Sequence, residues 1–283
     1  IASFNQLDNV FDVTNDLLNN LDDAAILELS GGNTADIDKV LDDILQETFI
    51  ALYGTPDNGK RPIAESSLGY LEALTENLEE TLRRADINYF ISSVLTNYSQ
   101  YTFTLEWGAL VQQHPRTCFI APRGHGKSFF FSMAYPIWRI YRYLGSRNVL
   151  GRIKDDEANK RGFIISTEMS LTIEFLTIIK DIIEENDILR EKLFPISQTG
   201  AVKRDSWNKT SIIAKNGAKV GLKSAGGTFR GFHPSWIVMD DILHNNVLYS
   251  KTQSEKIIDW VHSVVMNAVM PDPIGNVVVT GTP

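Results

Sequence analysis

The sequence predicts an α/β fold in which helices flank a mostly parallel β-sheet, with an acidic helical region in front of it. Strand-like and helix-like segments alternate after about residue 85, which favours parallel strands joined by helices. In the first 84 residues, apolar positions instead recur at helical spacing. Acidic residues are concentrated there as well, with 17 Asp and Glu against five Lys and Arg, compared with 18 against 22 in the remainder. We therefore expect a helical region at 1–84 and a sheet-containing domain at 85–283.

The acidic region is predicted to contain helices within residues 4–52, a loop at 53–62 and a third helix at 66–84. Its charge would repel phosphate, whereas the basic balance of the remainder would allow that part to meet a polyanion. Two interpretations stay open for the acidic helices. They are either a solvated appendage or a docking surface for another component of an assembly.

The sheet-containing domain is predicted from apolar runs separated by helical periodicity and turn residues. The predicted strands are 117–121, 162–166, 236–240 and 276–280, with a hairpin at 212–222 that turns at Asn216-Gly217. The predicted helices are 127–144, 171–193 and 252–270. Cys118, the single cysteine, lies in the first apolar run, where we expect it to be a small buried side chain.

The loop between the first predicted strand and its helix has the composition of a phosphate-binding loop. Such loops bind phosphate oxygens through backbone N–H groups and the N-terminus of the following helix. Lys127 would reach the β and γ phosphates of a nucleotide, and Ser128 would offer a hydroxyl ligand to Mg²⁺. The alternative is a glycine-rich turn that only caps a helix. The candidate ATP-binding residues are Arg123, Gly124, His125, Gly126, Lys127 and Ser128, preceded by Ala121 where glycine is usual.

Paired carboxylates end the predicted strand at 236–240. A central parallel strand delivers such acids to the carboxyl edge of its sheet, where ligands bind. Asp240 would hold Mg²⁺, and Asp241 would orient and deprotonate the attacking water. Many strands also end in acidic turns, so the acids alone are a weak indication of a site. Together with the phosphate-binding loop they indicate a nucleotide site.

Two further segments carry candidate site residues. The apolar run at 276–280 ends in small hydroxyl residues, and Thr280 and Thr282 are candidates for sensing the γ-phosphate. The glycine-flanked loop at 224–231 carries Arg230, whose guanidinium would suit an arginine finger that stabilises charge on the transferred phosphoryl group. Spacing alone leaves open whether Arg230 instead contacts DNA phosphate or a nearby carboxylate.

These four elements, in this order, resemble the large terminase subunit of tailed bacteriophages, the ATPase that pumps DNA into empty capsids. The resemblance covers about residues 85–283. It is carried by the loop at 123–128, by Phe229-Arg230-Gly231 shortly before the paired acids, and by the segment 280–283, which is similar to the coupling motif of the family. It implies a P-loop NTPase fold of the ASCE/RecA-like kind.

The resemblance also implies roles for individual residues. Lys127, Ser128 and Asp240 would carry the nucleotide and magnesium, and Arg230 would act as a finger on a neighbouring subunit. Asp241 takes the position of the catalytic glutamate of the family, and this shorter side chain is a departure. Terminases often place an aromatic residue and a glutamine against adenine. The unranked candidates for that contact are Tyr101, Phe103, Trp107, Gln112 and Gln113.

By the same resemblance, the partners are double-stranded DNA bound without sequence preference, the portal protein and the small terminase subunit. We expect a ring-shaped homo-oligomer docked transiently on the procapsid in the host cytoplasm. The family continues into a nuclease domain that this sequence does not reach, so we expect ATP hydrolysis and no nuclease activity. The candidate cations for DNA are Arg142, Arg147, Arg152, Lys154, Lys160 and Arg161.

Two other functions stay open at this stage. One is another P-loop translocase or helicase, which would share the nucleotide site but engage a single strand. The other is a nucleotide-binding scaffold that does not hydrolyse ATP because Asp241 is too short. No stretch approaches the roughly 20 apolar residues of a membrane span, and no secretion signal is evident. We therefore expect a reducing, cytoplasmic setting without a membrane contact.

Overall fold

A computed structural model describes residues 65–143, 160–195, 206–229, 231–242, 250–271 and 275–283. The chain divides into two compact units, residues 1–109 and 110–283. The helices predicted within residues 4–52 and the loop at 53–62 lie outside the described residues. The division of the sequence at residue 84 therefore stays a prediction.

The described part of the first unit is helical. Helix α1 spans Glu65–Ala85 and confirms the helix predicted at 66–84, and α2 spans Ile87–Val94. Asp86 ends the first helix and caps the second, since its carboxylate accepts a hydrogen bond from the backbone N–H of Tyr89 at 2.8 Å. Helix α3, Thr102–Gln113, begins in this unit. Ile87, Phe90 and Ile91 are fully buried and anchor α2.

The described residues of the second unit form a sheet of seven strands, which confirms the predicted α/β fold. The strand order is β1-β7-β6-β2-β5-β4-β3, and the first five strands in that order are mutually parallel. Strands β5, β4 and β3 pair antiparallel at the other end. The strands are β1 Arg116–Ile120, β2 Arg161–Ser166, β3 Trp207–Asn208, β4 Ser211–Ile213, β5 Lys219–Ser224, β6 Trp236–Asp240 and β7 Asn276–Gly281.

Each strand predicted from an apolar run is present within one residue of the expected bounds. The hairpin at 212–222 is also confirmed, because β4 and β5 pair through a turn in which Gly217 has φ +94°. That backbone conformation favours glycine. Strand β3 was not expected, since Trp207 and Asn208 give too short a pattern to distinguish from a loop.

Helices cover the sheet, and two of them contain an internal π-helical turn. Helix α4 covers residues 127–141, with segments Lys127–Phe129, Phe130–Ala134 and Tyr135–Tyr141. Helix α7 covers residues 251–268, with segments Lys251–Trp260, Val261–Val265 and Met266–Ala268. The middle segment is the π-helical one in each case. Both helices confirm the predicted positions, although periodicity alone does not reveal a π-turn.

The helix predicted at 171–193 is instead two helices, α5 Met169–Glu185 and α6 Asp187–Leu193. The break lies at Asn186, whose backbone is extended and whose side chain accepts a hydrogen bond from the N–H of Leu189 at 3.0 Å. Asparagine followed by aspartate is a favourable start for a helix, so the sequence held a local signal for this break.

Cys118 was expected to be buried, and the structure shows it exposed. Among the strands that the structure describes, β1 lies at one end of the sheet and pairs with β7 alone. Phe119 packs into the core, whereas the alternate residues Cys118 and Ile120 face outward, and Ile120 is 68% exposed. The continuous apolar run predicted two buried faces, but only one face of this strand is covered. Within the described residues, no helix is both long and apolar enough to cross a membrane.

Candidate functional site

The site is positioned by the strand order. Strand β7 lies between β1, which leads into the glycine-rich loop, and β6, which ends in the paired acids. Because these three strands are parallel, their carboxyl ends share one edge of the sheet. The loop at 121–126, the acids at 240–241 and the threonines at 280 and 282 therefore come together, as the sequence predicted for a common site.

The glycine-rich loop leaves an open cavity of about 410 Å³ at this edge. Gly124 and Gly126 have φ of +82° and +74°, a region that side chains with a Cβ rarely adopt. Gly126 directly precedes α4, so the cavity lies at the N-terminus of a helix of 15 residues. The cavity is lined by Pro122, Arg123, Gly124, Gly126, Lys127, Ser128, Phe129, Asp241 and Thr282.

Lys127 is the buried cation of the cavity. Its side chain is 6% exposed, and its Nζ donates a hydrogen bond of 2.8 Å to Thr282 Oγ1. The same Nζ lies 3.4 Å from Asp241 Oδ1, and Thr282 Oγ1 in turn lies 3.3 Å from both carboxylate oxygens of Asp241. The ammonium, the hydroxyl and the carboxylate thus form one closed triangle.

Asp241 adopts an unusual backbone conformation. Its φ is +46°, the only positive φ among the non-glycine residues that the structure describes. Left-handed backbone costs a residue with a Cβ roughly 1–2 kcal/mol, although Asp and Asn tolerate it better than most. The turn is held by the N–H of Asp241, which donates to the carbonyl oxygen of Thr280 at 3.1 Å. The carboxylate that results is half-exposed and faces Lys127.

Asp240 and Thr280 form a second, buried pair beside the cavity. They are register partners on β6 and β7, each is 2% exposed, and the Thr280 hydroxyl donates a hydrogen bond to Asp240 Oδ1. Neither residue lines the cavity. Both threonines were candidates for sensing the γ-phosphate, but their surroundings differ. Thr282 contacts Lys127, and Thr280 contacts Asp240.

For the remaining predicted site residues, the structure gives no hydrogen bond to Lys127, Thr282 or Asp241 among the described contacts. Ser128 lines the cavity beside Lys127. Arg123 and His125 are exposed, and His125 Nδ1 lies 3.3 Å from the Arg123 carbonyl oxygen. Arg230 lies outside the described residues. On either side of it, Phe229 and Phe232 pack on the ring of Phe163, with centroid distances of 5.2 Å and 5.6 Å.

The residues considered for adenine are not brought together within one described unit. Tyr101, Phe103 and Trp107 belong to the first unit, where Tyr101 stacks on Phe103 at 5.5 Å and Phe103 meets Trp107 edge-on at 5.1 Å. Gln112 and Gln113 fall in the second unit. An adenine contact therefore stays a prediction from the sequence.

Of the cations considered for DNA, Arg142, Lys160 and Arg161 are described, whereas Arg147, Arg152 and Lys154 lie outside the described residues. The guanidinium of Arg142 lies over the Trp138 ring, 4.5 Å from its centroid, and burial lowers its pKa to about 10. Arg142 therefore stays charged at neutral pH but is engaged in packing.

The Thr280–Asp240 pair leads to a testable prediction about metal binding. The sequence predicts that Asp240 holds Mg²⁺, and a hydroxyl that orients such a carboxylate would contribute about 10- to 100-fold to metal affinity. We expect Thr280→Val to raise the Mg²⁺ concentration needed for half-maximal nucleotide binding by about tenfold, with little change in binding measured without metal. Thr280→Ser keeps the hydroxyl and is the matched control. Equal metal dependence in the Val and Ser variants would remove Thr280 from this role.

Two large terminases are among the solved structures that are similar to this chain. The HK97 bacteriophage large terminase is 11% identical with a TM-score of 0.44, and the similarity covers 70% of this chain and 37% of that one. The large terminase ATPase domain of Thermus phage P74-26 is 13% identical with a TM-score of 0.42, covering 69% of this chain and 68% of that domain. The chain therefore spans little more than a third of the HK97 protein. No protein-family model and no curated protein matches the sequence.

Proposed function

We propose that this chain is the ATPase motor of a viral DNA-packaging enzyme, which hydrolyses ATP to translocate double-stranded DNA into a procapsid. The observation that carries the proposal is the meeting of Lys127, Thr282 and Asp241 at the cavity of the glycine-rich loop. A buried ammonium, a hydroxyl and a carboxylate at a helix N-terminus are the groups that bind and hydrolyse a phosphoanhydride.

ATP binding would begin with an exchange of partners at Lys127. In the structure, the ammonium lies 3.4 Å from Asp241 Oδ1 and donates a hydrogen bond to Thr282. The β and γ phosphates carry more negative charge than one carboxylate, so they compete for the ammonium. Asp241 would then be released to accept a proton from water, which is the role of a general base. Thr282 contacts both residues and directly follows β7, so a change in these contacts would also move the end of β7.

The residues beside the cavity fit a magnesium ion. Ser128 lines the cavity, and Asp240 lies at the same sheet edge with its carboxylate oriented by Thr280. Hydroxyl and carboxylate oxygens are the ligands that Mg²⁺ prefers, and one or two of them suffice when phosphate oxygens complete the shell. Mg²⁺ bound there would neutralise charge on the phosphates.

The coupling of hydrolysis to DNA movement involves parts of the chain beyond this triangle. By the resemblance to terminases, Arg230 would act as a finger on the site of a neighbouring subunit in a ring. The portal protein and the small terminase subunit are the expected partners, on a procapsid in the host cytoplasm. Phe229 and Phe232, which lie on either side of Arg230 in the chain, both pack on Phe163 of β2. A movement of β2 would therefore be passed to both residues that flank Arg230.

The proposed function is tested by measuring phosphate release from ATP with and without double-stranded DNA, beside a strand-displacement assay. We expect magnesium-dependent hydrolysis that duplex DNA stimulates, and no separation of the strands. Strand separation would assign the chain to the helicases. Nucleotide binding without any turnover, even in the presence of duplex DNA, would support the scaffold function instead.

A further inference from the structure

The segment at 224–232, which joins β5 to β6, contains two tight turns. In the first, the N–H of Gly227 donates a hydrogen bond to the carbonyl oxygen of Ser224 at 3.0 Å. In the second, the N–H of Phe232 donates to the carbonyl oxygen of Phe229 at 2.9 Å. Each turn also contains a glycine with a positive φ. These bonds fix the path of the backbone within the segment, but they do not fix the segment to the rest of the unit.

One side chain of helix α7, Trp260, contacts both turns. Its Nε1 donates a hydrogen bond of 2.8 Å to the carbonyl oxygen of Gly227, in the first turn. Its ring lies 6.5 Å from the ring centroid of Phe229, in the second turn. Trp260 is 9% exposed, and both aromatic residues belong to the apolar cluster that α7 forms with β2 and β6. Trp260 therefore joins the segment to α7 by a hydrogen bond and by packing.

The π-helical turn of α7 helps to direct this side chain. The turn, Val261–Val265, directly follows Trp260. A π-turn adds one residue to a helical turn, so side chains five positions apart come to lie on one face, where a regular α-helix aligns side chains four apart. Trp260 and Val265 are five positions apart, and both are buried in the same cluster. In a regular helix, one of these two side chains would turn away from the cluster.

The strand register places the first turn at the edge of the sheet that bears the candidate site. Ser224 is in register with Ser166 of β2, and Ser166 is in register with Asp240 of β6. These strands are parallel, so all three residues lie at the carboxyl edge. Neighbouring strands are separated by about 4.8 Å, which sets the backbone of Ser224 about 10 Å from that of Asp240. The segment therefore begins close to the acids that end β6.

We propose that Trp260 is a positioning residue that holds the segment 224–232, and with it Arg230, at this edge of the sheet. The inference rests on the proposed function, in which the Arg230 guanidinium stabilises charge on the transferred phosphoryl group. Such a group must be held accurately, because a misplacement of about 1 Å can cost about 10²-fold in rate. Trp260 does not line the nucleotide cavity, so it acts through the segment and not through the nucleotide.

The first part of the test is hydrogen exchange of the whole chain. Trp260→Phe keeps an aromatic ring in the cluster and removes the N–H that the Gly227 carbonyl accepts. We expect the backbone amides of 225–232 to exchange about 2- to 10-fold faster, the factor for the loss of one neutral hydrogen bond, while the amides of β1 stay unchanged. Trp207→Phe is the matched control, since it removes an indole hydrogen bond of 2.7 Å to Glu184 and should leave 225–232 unchanged.

The second part of the test is steady-state ATP hydrolysis with thermal unfolding recorded alongside. Trp260→Phe should lower kcat by about 2- to 10-fold and change KM by less than about twofold, because the nucleotide contacts are kept. The same substitution is then made in Arg230→Ala. There it should lower kcat no further, because the group that Trp260 positions is gone. A merely structural role would lower kcat equally in both backgrounds.

The two parts separate this inference from the proposed function. Unchanged exchange at 225–232, equal effects of the two tryptophan variants, or an unchanged kcat in Trp260→Phe would each overturn the inference. A loss of kcat that persists in full in Arg230→Ala would overturn it as well. A wild type that never hydrolyses ATP would contradict the proposed function, and the exchange measurement would then decide by itself whether Trp260 holds the segment.

Discussion

Asp241→Asn is expected to bind ATP and fail to hydrolyse it, with turnover reduced by about 10²- to 10⁴-fold, the usual contribution of a general base. Asparagine has nearly the same shape and tolerates the left-handed backbone found at φ +46°, so the turn after β6 should persist. Removal of the carboxylate also frees Lys127 from its partner at 3.4 Å. Nucleotide affinity should therefore stay the same or increase.

The measurement is single-turnover phosphate release with saturating ATP, together with equilibrium binding of nucleotide. Asp259→Asn, which neutralises an exposed carboxylate on α7, is the matched control and should behave as the wild type does. Hydrolysis within a factor of about three of wild type, well below the usual effect of losing a general base, would mean that another group activates the water. A parallel loss of ATP binding would instead indicate that Asp241 supports the fold of the site.

The sheet was predictable because its strands are short apolar runs between clear turn signals. The glycine-rich loop was predictable for a related reason, since the glycines at 124 and 126 and the following Lys127 lie close together in the chain. Both patterns are local in the sequence, and a local preference is kept in the folded protein when the tertiary contacts favour the same conformation. At Asn186 a local capping signal and the continuous helical periodicity disagree, and the structure follows the capping signal.

The features that the sequence did not reveal depend on which strands become neighbours. Thr280 contacts Asp240 only because β7 lies beside β6, and these residues are 40 positions apart. The pairing of β2 with β5 likewise sets Arg161 opposite Lys219, although these residues are far apart in the chain. The predicted burial of Cys118 is wrong because burial of a strand face depends on the place of the strand in the sheet, which a run of apolar residues does not encode.

The proposed function depends most on the binding of ATP phosphates at the cavity of residues 121–128, and a substitution of Lys127 tests that binding. The buried ammonium is the only cation among the described residues that contacts both Asp241 and Thr282. Truncation of one partner of a buried charge pair costs 2–5 kcal/mol or more, so Lys127→Ala should weaken ATP binding at least about thirtyfold. Lys256→Ala, an exposed lysine on α7, is the control and should leave binding unchanged.

The direct measurement is calorimetric titration of a slowly hydrolysed ATP analogue into the wild type and both variants, with Mg²⁺ present and with thermal unfolding recorded alongside. We predict binding to the wild type and to Lys256→Ala, and binding at least about thirtyfold weaker in a Lys127→Ala protein that still unfolds in one cooperative transition. Equal affinity in Lys127→Ala and the wild type would show that nucleotide binds elsewhere and would contradict the assignment of this site.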